Sequence, residues 1–299
     1  MKPKTIALII LMASATILHA QDYEFEFYKN HIYLSASVNG VPAKMVFDTG
    51  SASVYLDSTW FAGSGLKFNQ MGNAMISGAG KDKQQVRMII SGVELTLGEK
   101  KVHPSMVPLT DLRAILDDKV DGLFGTPHLI GKVISINYRH GRLSVREKLT
   151  PGMTEGFTGV PITIAPAHPG QILFPVEVTV NSGLTIKGKA LLDTGSGQGI
   201  GFTSKTAVKY RLDKLDDKIA YYLEHGGVGG ADSGYDIAVQ SVKIGDIVMA
   251  VEKCHYSTNK TGAMASDTCI AIVGNELWKS FTVILDLNGK NLYLKKSLE

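Results

Sequence analysis

The chain has 299 residues, 44% of them apolar and 20% charged, with a formal net charge of +3. That balance fits one large or two ordinary globular domains and excludes a disordered, tail-like chain. Loss of Lys2 and Lys4 with a leader would bring the charge to about +1, which leaves no basic footprint for nucleic acid or an anionic membrane.

Residues 1–20 have the order of a Sec signal peptide: Lys2 and Lys4, an apolar run from Ile6 to Leu18, and Ala20 before the polar "QDYEFEF". An exported protein, periplasmic or extracellular, is expected. An uncleaved anchor is the alternative, but the apolar run is short for a span, and no later segment is long and apolar enough to cross a bilayer.

The next element alternates Ile32, Leu34, Ala36 and Val38 before Asn39-Gly40, a strand entering a two-residue hairpin turn. Its partner strand runs through Met45-Val46-Phe47 into Asp48-Thr49-Gly50-Ser51. A carboxylate at the end of a buried strand is costly unless it is hydrogen-bonded or used. Further on, "SGAGKD" lacks the earlier glycine and the hydroxyl residue of a phosphate-binding loop and reads as a hairpin turn. "TDLRAILDD" at 110–118 and "SKTAVKYRLDK" at 204–214 are the better helix candidates.

The chain then repeats itself. Residues 185–201, "TIKGKALLDTGSGQGIG", align without a gap on 40–56, "GVPAKMVFDTGSASVYL", at an offset of 145. Asp193 is therefore the counterpart of Asp48. Upstream, Val176, Val178 and Val180 repeat the alternation; downstream, the segments from Gly125 and from Gly274 align at an offset of 149. Two copies of one mostly-β unit are predicted, over 21–150 and 160–299, with the Gly- and Thr-rich segment 151–159 as linker. Cys254 and Cys269, in an exported chain, predict a disulfide closing one loop; two buried free thiols are the alternative.

Asp-Thr-Gly-Ser after an apolar strand, with a later apolar-apolar-Gly triplet (Leu123-Phe124-Gly125), resembles the aspartic peptidases. The doubling (Ile272-Val273-Gly274 after Asp193) is similar to the two-lobed pepsin arrangement, and the lean, Gly-rich copies are more similar to two retropepsin units fused in one chain. The resemblance implies an all-β fold of two acid-protease-like barrel lobes related by an internal pseudo-two-fold axis. It implies that Asp48 and Asp193 share a proton across the lobe interface and activate a water toward a peptide carbonyl. Thr49 and Thr194 would then bond across the two loops, Gly50 and Gly195 would let backbone amides approach, and the hydroxyls of Ser51 and Ser196 would donate to the outer carboxylate oxygens.

Mobile flaps are implied at Gly78 and Gly80 in the first lobe and at Gly227 and Gly229 in the second. No tyrosine occurs between residues 69 and 92, which departs from the pepsin flap, and Tyr23 follows the proposed cut too closely for a long inhibitory prosegment. The implied partner is a polypeptide substrate and the implied state a monomer with its active site within one chain. No cofactor is implied. The scattered histidines show no metal-ligand spacing, and no nucleophile elbow surrounds either serine. A peptide-binding module with slow or no turnover, and a processing peptidase for one partner, remain the alternatives.

Overall fold

The computed structural model describes residues 21–165 and 170–297. The signal-peptide reading at 1–20 lies outside the described residues. The described chain is mostly β and contains a closed six-stranded barrel, in keeping with the expected fold class.

The barrel is easiest to follow in the second half of the chain. Strand Ile172–Val180 pairs antiparallel with Thr185–Leu192, which pairs in parallel with Ala271–Val273. Ala271–Val273 pairs with Ile200–Phe202, then come Lys253–Ser257 and the thirteen-residue strand Asp232–Ile244. Asp232–Ile244 returns to Ile172–Val180 through Val178↔Val242 and closes the ring. The run Ala190-Leu191-Leu192 is apolar throughout because both faces of its strand are covered. Ala190 and Leu192 point into the barrel core, whereas Leu191 joins Leu173, Met264, Cys269 and Ile272 in a second cluster on the outer face.

The first half repeats this order with His31–Val38, Val41–Asp48, Gly122–Gly125, Tyr55–Asp57 and Val107–Thr110. The strand that closes the ring is here broken into Gln84–Ile89 and Leu95–Leu97, separated at Ile90–Glu94, where Gly92 takes φ +92°. The Asn39 side chain bridges the gap, donating to Gly92 O and accepting from Glu94 N. Asn39 and Gly40 take φ +48° and +82°, which is why this residue pair makes the tight turn the alternation predicts.

Helix is scarce and short. The predicted 110–118 helix is confined to Leu112–Ile115, and that at 204–214 to Ser204–Lys209 followed by a turn of 3-10 helix at Leu212–Lys214. Fully buried Asp57 organises the first-half helices: its carboxylate accepts from Trp60 N, Leu112 N and Arg113 N.

A six-stranded antiparallel sheet joins the halves, in the order Thr158–Pro161, Asn291–Lys296, Phe281–Asp286, Val133–Asn137, Arg142–Arg146 and Gln21–Tyr28. At its centre Ser135 pairs with Ile284. These two residues are counterparts in the 149-residue repeat, so a local two-fold axis passes between them.

Candidate active site

Asp48 ends the strand Val41–Asp48, and Asp193 follows the strand Thr185–Leu192. Each strand is flanked in parallel by its apolar-apolar-Gly triplet, with Gly125 opposite Asp48 and Val273 opposite Leu192. The glycines are needed for contact with the following loops. A Cβ on Gly125 would lie 2.4 Å from Ser51 O, and one on Gly274 would lie 2.4 Å from Gln198 O. The triplets are thus the seats of the two Asp-Thr-Gly-Ser loops.

The loops interlock through their buried threonines. Thr49 N–H donates to Thr194 Oγ1 at 3.1 Å, and Thr194 N–H donates to Thr49 Oγ1 at 3.0 Å. Each hydroxyl in turn donates to a carbonyl of the opposite half, Thr49 to Leu192 O at 2.8 Å and Thr194 to Phe47 O at 2.7 Å. All four bonds cross between halves and leave no polar atom of either hydroxyl unmatched. Gly50 and Gly195 then bring backbone against the opposite carboxyl: an added Cβ would fall 2.7 Å from Asp193 Cγ and 2.2 Å from Asp48 Cγ, respectively.

Backbone amides hold one oxygen of each carboxyl. Gly50 N and Ser51 N donate to Asp48 Oδ1 at 2.8 and 2.9 Å, and Gly195 N donates to Asp193 Oδ1 at 2.9 Å. The serine hydroxyls do something other than the resemblance implies. Ser51 Oγ donates to Ser53 O, and Ser196 Oγ accepts from Gln198 N; both brace their own loops rather than a carboxylate.

The two carboxyl groups hydrogen-bond each other, and both are raised above the ordinary carboxylate pKa of 3.8. For Asp48 burial is the largest cause, followed by the negative charge of Asp193 and the hydrogen bond between them. For Asp193 burial alone raises it, opposed by the hydrogen bond from Asp48 and by the amides of Gly195, Ser196 and Gly50. The proton therefore belongs to the pair rather than to either residue.

The pair forms the floor of a cavity of about 710 Å³. Tyr55, Leu112 and Leu123 line one side, and Leu173, Leu191 and Ile272 line the other. The roof comes from both halves. The hairpin Met71–Ile76/Gln84–Ile89 carries Gly78 and Gly80, and the hairpin between Ile219–Leu223 and Asp232–Ile244 carries Gly227 and Gly229. Their tips meet through Gly80 N–H to Val228 O (3.0 Å), Lys81 N–H to Ala231 O (3.1 Å) and Asp82 N–H to Gly229 O (2.9 Å). A third loop joins them, with Ala263 N–H donating to Gly78 O at 2.8 Å and Thr261 Oγ1 to Lys81 O. The sequence motifs at 48–51, 193–196, 78–80 and 227–229 thus surround one cavity.

Residues 34–128 match the family model described as aspartyl protease. The match takes in both Asp48-Thr49-Gly50 and Leu123-Phe124-Gly125 and supports an aspartyl protease family, and with it protease function. No curated protein matches the chain.

Cys254 and Cys269 are free and buried, so the predicted disulfide is absent. The reason is topological. Cys254 packs in the barrel core, while Cys269 belongs to the cluster on the outer face, toward the cavity, and the barrel wall separates them. Sequence reasoning also missed His31, Gln171 and Asn275, which touch the Asp-Thr-Gly loops. Asn275 is fully buried and donates to Thr194 O at 2.6 Å. A signal for it existed: it is a polar residue directly after the second triplet. His31 and Gln171 carry no motif, and only strand register relates them.

Proposed function

We propose that this chain is an aspartic endopeptidase that hydrolyses peptide bonds with a water activated by Asp48 and Asp193. The observation that carries this reading is the pair of hydrogen-bonded carboxyls, one from each repeat, on the floor of a cavity roofed by two hairpins. Two carboxyls this close cannot both ionise cheaply, so the pair holds one proton over a wide pH range. The ionised member takes a proton from the attacking water. The protonated member donates to the scissile carbonyl oxygen and afterwards helps the amine leave. Amide donors on one oxygen of each carboxyl keep both in one orientation at no cost in reorganisation.

The apolar walls on either side of the pair suit apolar side chains flanking the cleaved bond. The hairpins must part to admit a polypeptide and close again over it, which excludes bulk water from the reacting atoms. The leader-like residues 1–20 support action after export, in a periplasm or outside the cell.

The test is proteolysis of a complex peptide mixture by residues 21–299, from about pH 3 to 8, with new termini mapped by mass spectrometry. Cuts made by the parent and absent from Asp48→Asn and Asp193→Asn are expected. Equal cutting by parent and variants would refute the paired mechanism. An intact mixture with all three proteins folded would favour a peptide-binding role without turnover.

A further inference from the structure

The strand registers expose a second crossed arrangement behind the two loops. Val46 and Leu191 are repeat counterparts; their partners across the hairpins are Tyr33 and Leu173. Counting back two residues makes His31 the counterpart of Gln171, and Asn30 that of Gly170. Gln171 Nε2 donates to Gly50 O at 2.8 Å, and His31 Nε2 lies 3.2 Å from Gly195 O. Each side chain reaches from its own half to the loop glycine of the other, and each of those glycines packs against the opposite carboxyl. The bases are held crosswise as well. Asn275 Nδ2 donates to Asn30 O at 2.7 Å, and its counterpart Thr126 donates through Oγ1 to Gly170 O at 2.5 Å.

We propose that His31 and Gln171 are a crossed pair of positioning residues that fix the spacing of the two carboxyls, and that the imidazole makes one brace releasable by acid. This rests on the peptidase reading for its effect on turnover, but not for the brace itself. A carbonyl needs a donor, so His31 carries its hydrogen on Nε2 and Nδ1 is bare. His31 is buried, and Nδ1 has no hydrogen-bond partner. Protonation would place a positive charge in this buried site, where burial opposes it more than the Gly195 and Lys29 carbonyls favour it, and moving the ring toward water relieves that cost. The Gly195 carbonyl, Asp117 and the Lys29 carbonyl favour that protonation, and the Lys29 ammonium opposes it; Glu276 and Lys279 meet the adjacent Asn30 side chain. Burial is the largest influence and holds His31 below the ordinary imidazole value of 6.5. Gln171 does not titrate, so acid acts on one brace and not on the other.

The experiment measures kcat and KM against pH for the parent, His31→Gln, His31→Leu and Gln171→Leu, and follows the His31 ring by NMR. Both leucine variants should lose about tenfold or more in kcat with little change in KM. His31→Gln should recover most of that loss and shift the acid limb of the rate profile to lower pH, whereas Gln171→Leu should keep the parent's limb. Superimposed acid limbs for the parent and His31→Gln, or full activity in His31→Leu, would overturn the proposal. If no protein turns substrate over, the peptidase reading fails, and the ring titration decides for the brace. A ring titration below 6.5 that carries the Gly195 carbonyl signal with it upholds it, and a titration that leaves that signal unmoved overturns it.

Discussion

At the scale of residues, the paired carboxyls set a pH dependence of stability whose sign follows from geometry. Asp48 is raised well above 3.8 by burial and by Asp193, so the folded chain keeps a proton that the unfolded chain releases. Stability from this group is full below about pH 3.8 and is lost as the pH rises through the folded value, at about 1.4 kcal/mol per pH step crossed. Asp48→Asn removes that loss. Thermal melts of variant and parent should converge near pH 4 and separate toward pH 7, with the variant higher. A variant that melts lower at neutral pH would contradict this account. The same residues show why some of the site was legible and some was not. Asp48, Thr49 and Gly50 are recognisable because a costly carboxylate follows an apolar strand, and the whole pattern recurs at Asp193. The hydroxyl directions of Ser51 and Ser196 depend on loop atoms such as Ser53 O, which a linear pattern does not place. His31 and Gln171 differ in chemistry. The two residues of the first hairpin turn, Asn39-Gly40, are replaced by a longer turn between Val178 and Ile186, which shifts the repeat offset upstream.

At the scale of elements, the hairpins Met71–Ile76/Gln84–Ile89 and Ile219–Leu223/Asp232–Ile244 are closed upon each other by backbone hydrogen bonds alone, and glycine makes this approach possible. A Cβ at Gly80 would lie 2.3 Å from the Gly229 carbonyl carbon and 2.4 Å from Gly230 N. Gly80→Ala should part the tips, speed hydrogen exchange at the Lys81 and Asp82 amides, and raise KM more than it lowers kcat. Unchanged exchange at those amides would show that the tips do not depend on this contact. Glycine-rich loops were readable as candidate flaps, but their meeting was not, because the contact joins residues about 150 positions apart. The disulfide expectation failed on the same ground: fifteen residues of separation says nothing about which face of a barrel wall each cysteine occupies.

At the scale of the whole molecule, both carboxyls come from one chain, and the threonine lock and the central sheet hold the halves together. Initial rates should therefore be proportional to protein concentration from nanomolar upward; an upward curve would mean that a second copy completes the site. The alternation, the turn residues and the exact recurrence of Asp-Thr-Gly-Ser made the duplication plain. The broken ring-closing strand at Ile90–Glu94 was less so, since its continuous counterpart in the second half differs by a few residues of ordinary loop composition. The pairing of Ser135 with Ile284 carries a consequence of another kind. A strand that meets its own repeat counterpart antiparallel has a hydrogen-bonding edge suited to itself. A single repeat, freed from the other, would find in any second copy the neighbour it had lost. Carrying both edges on one polypeptide satisfies them within the molecule, and leaves each copy free to acquire its own side chains, as the imidazole on one side and the amide on the other record.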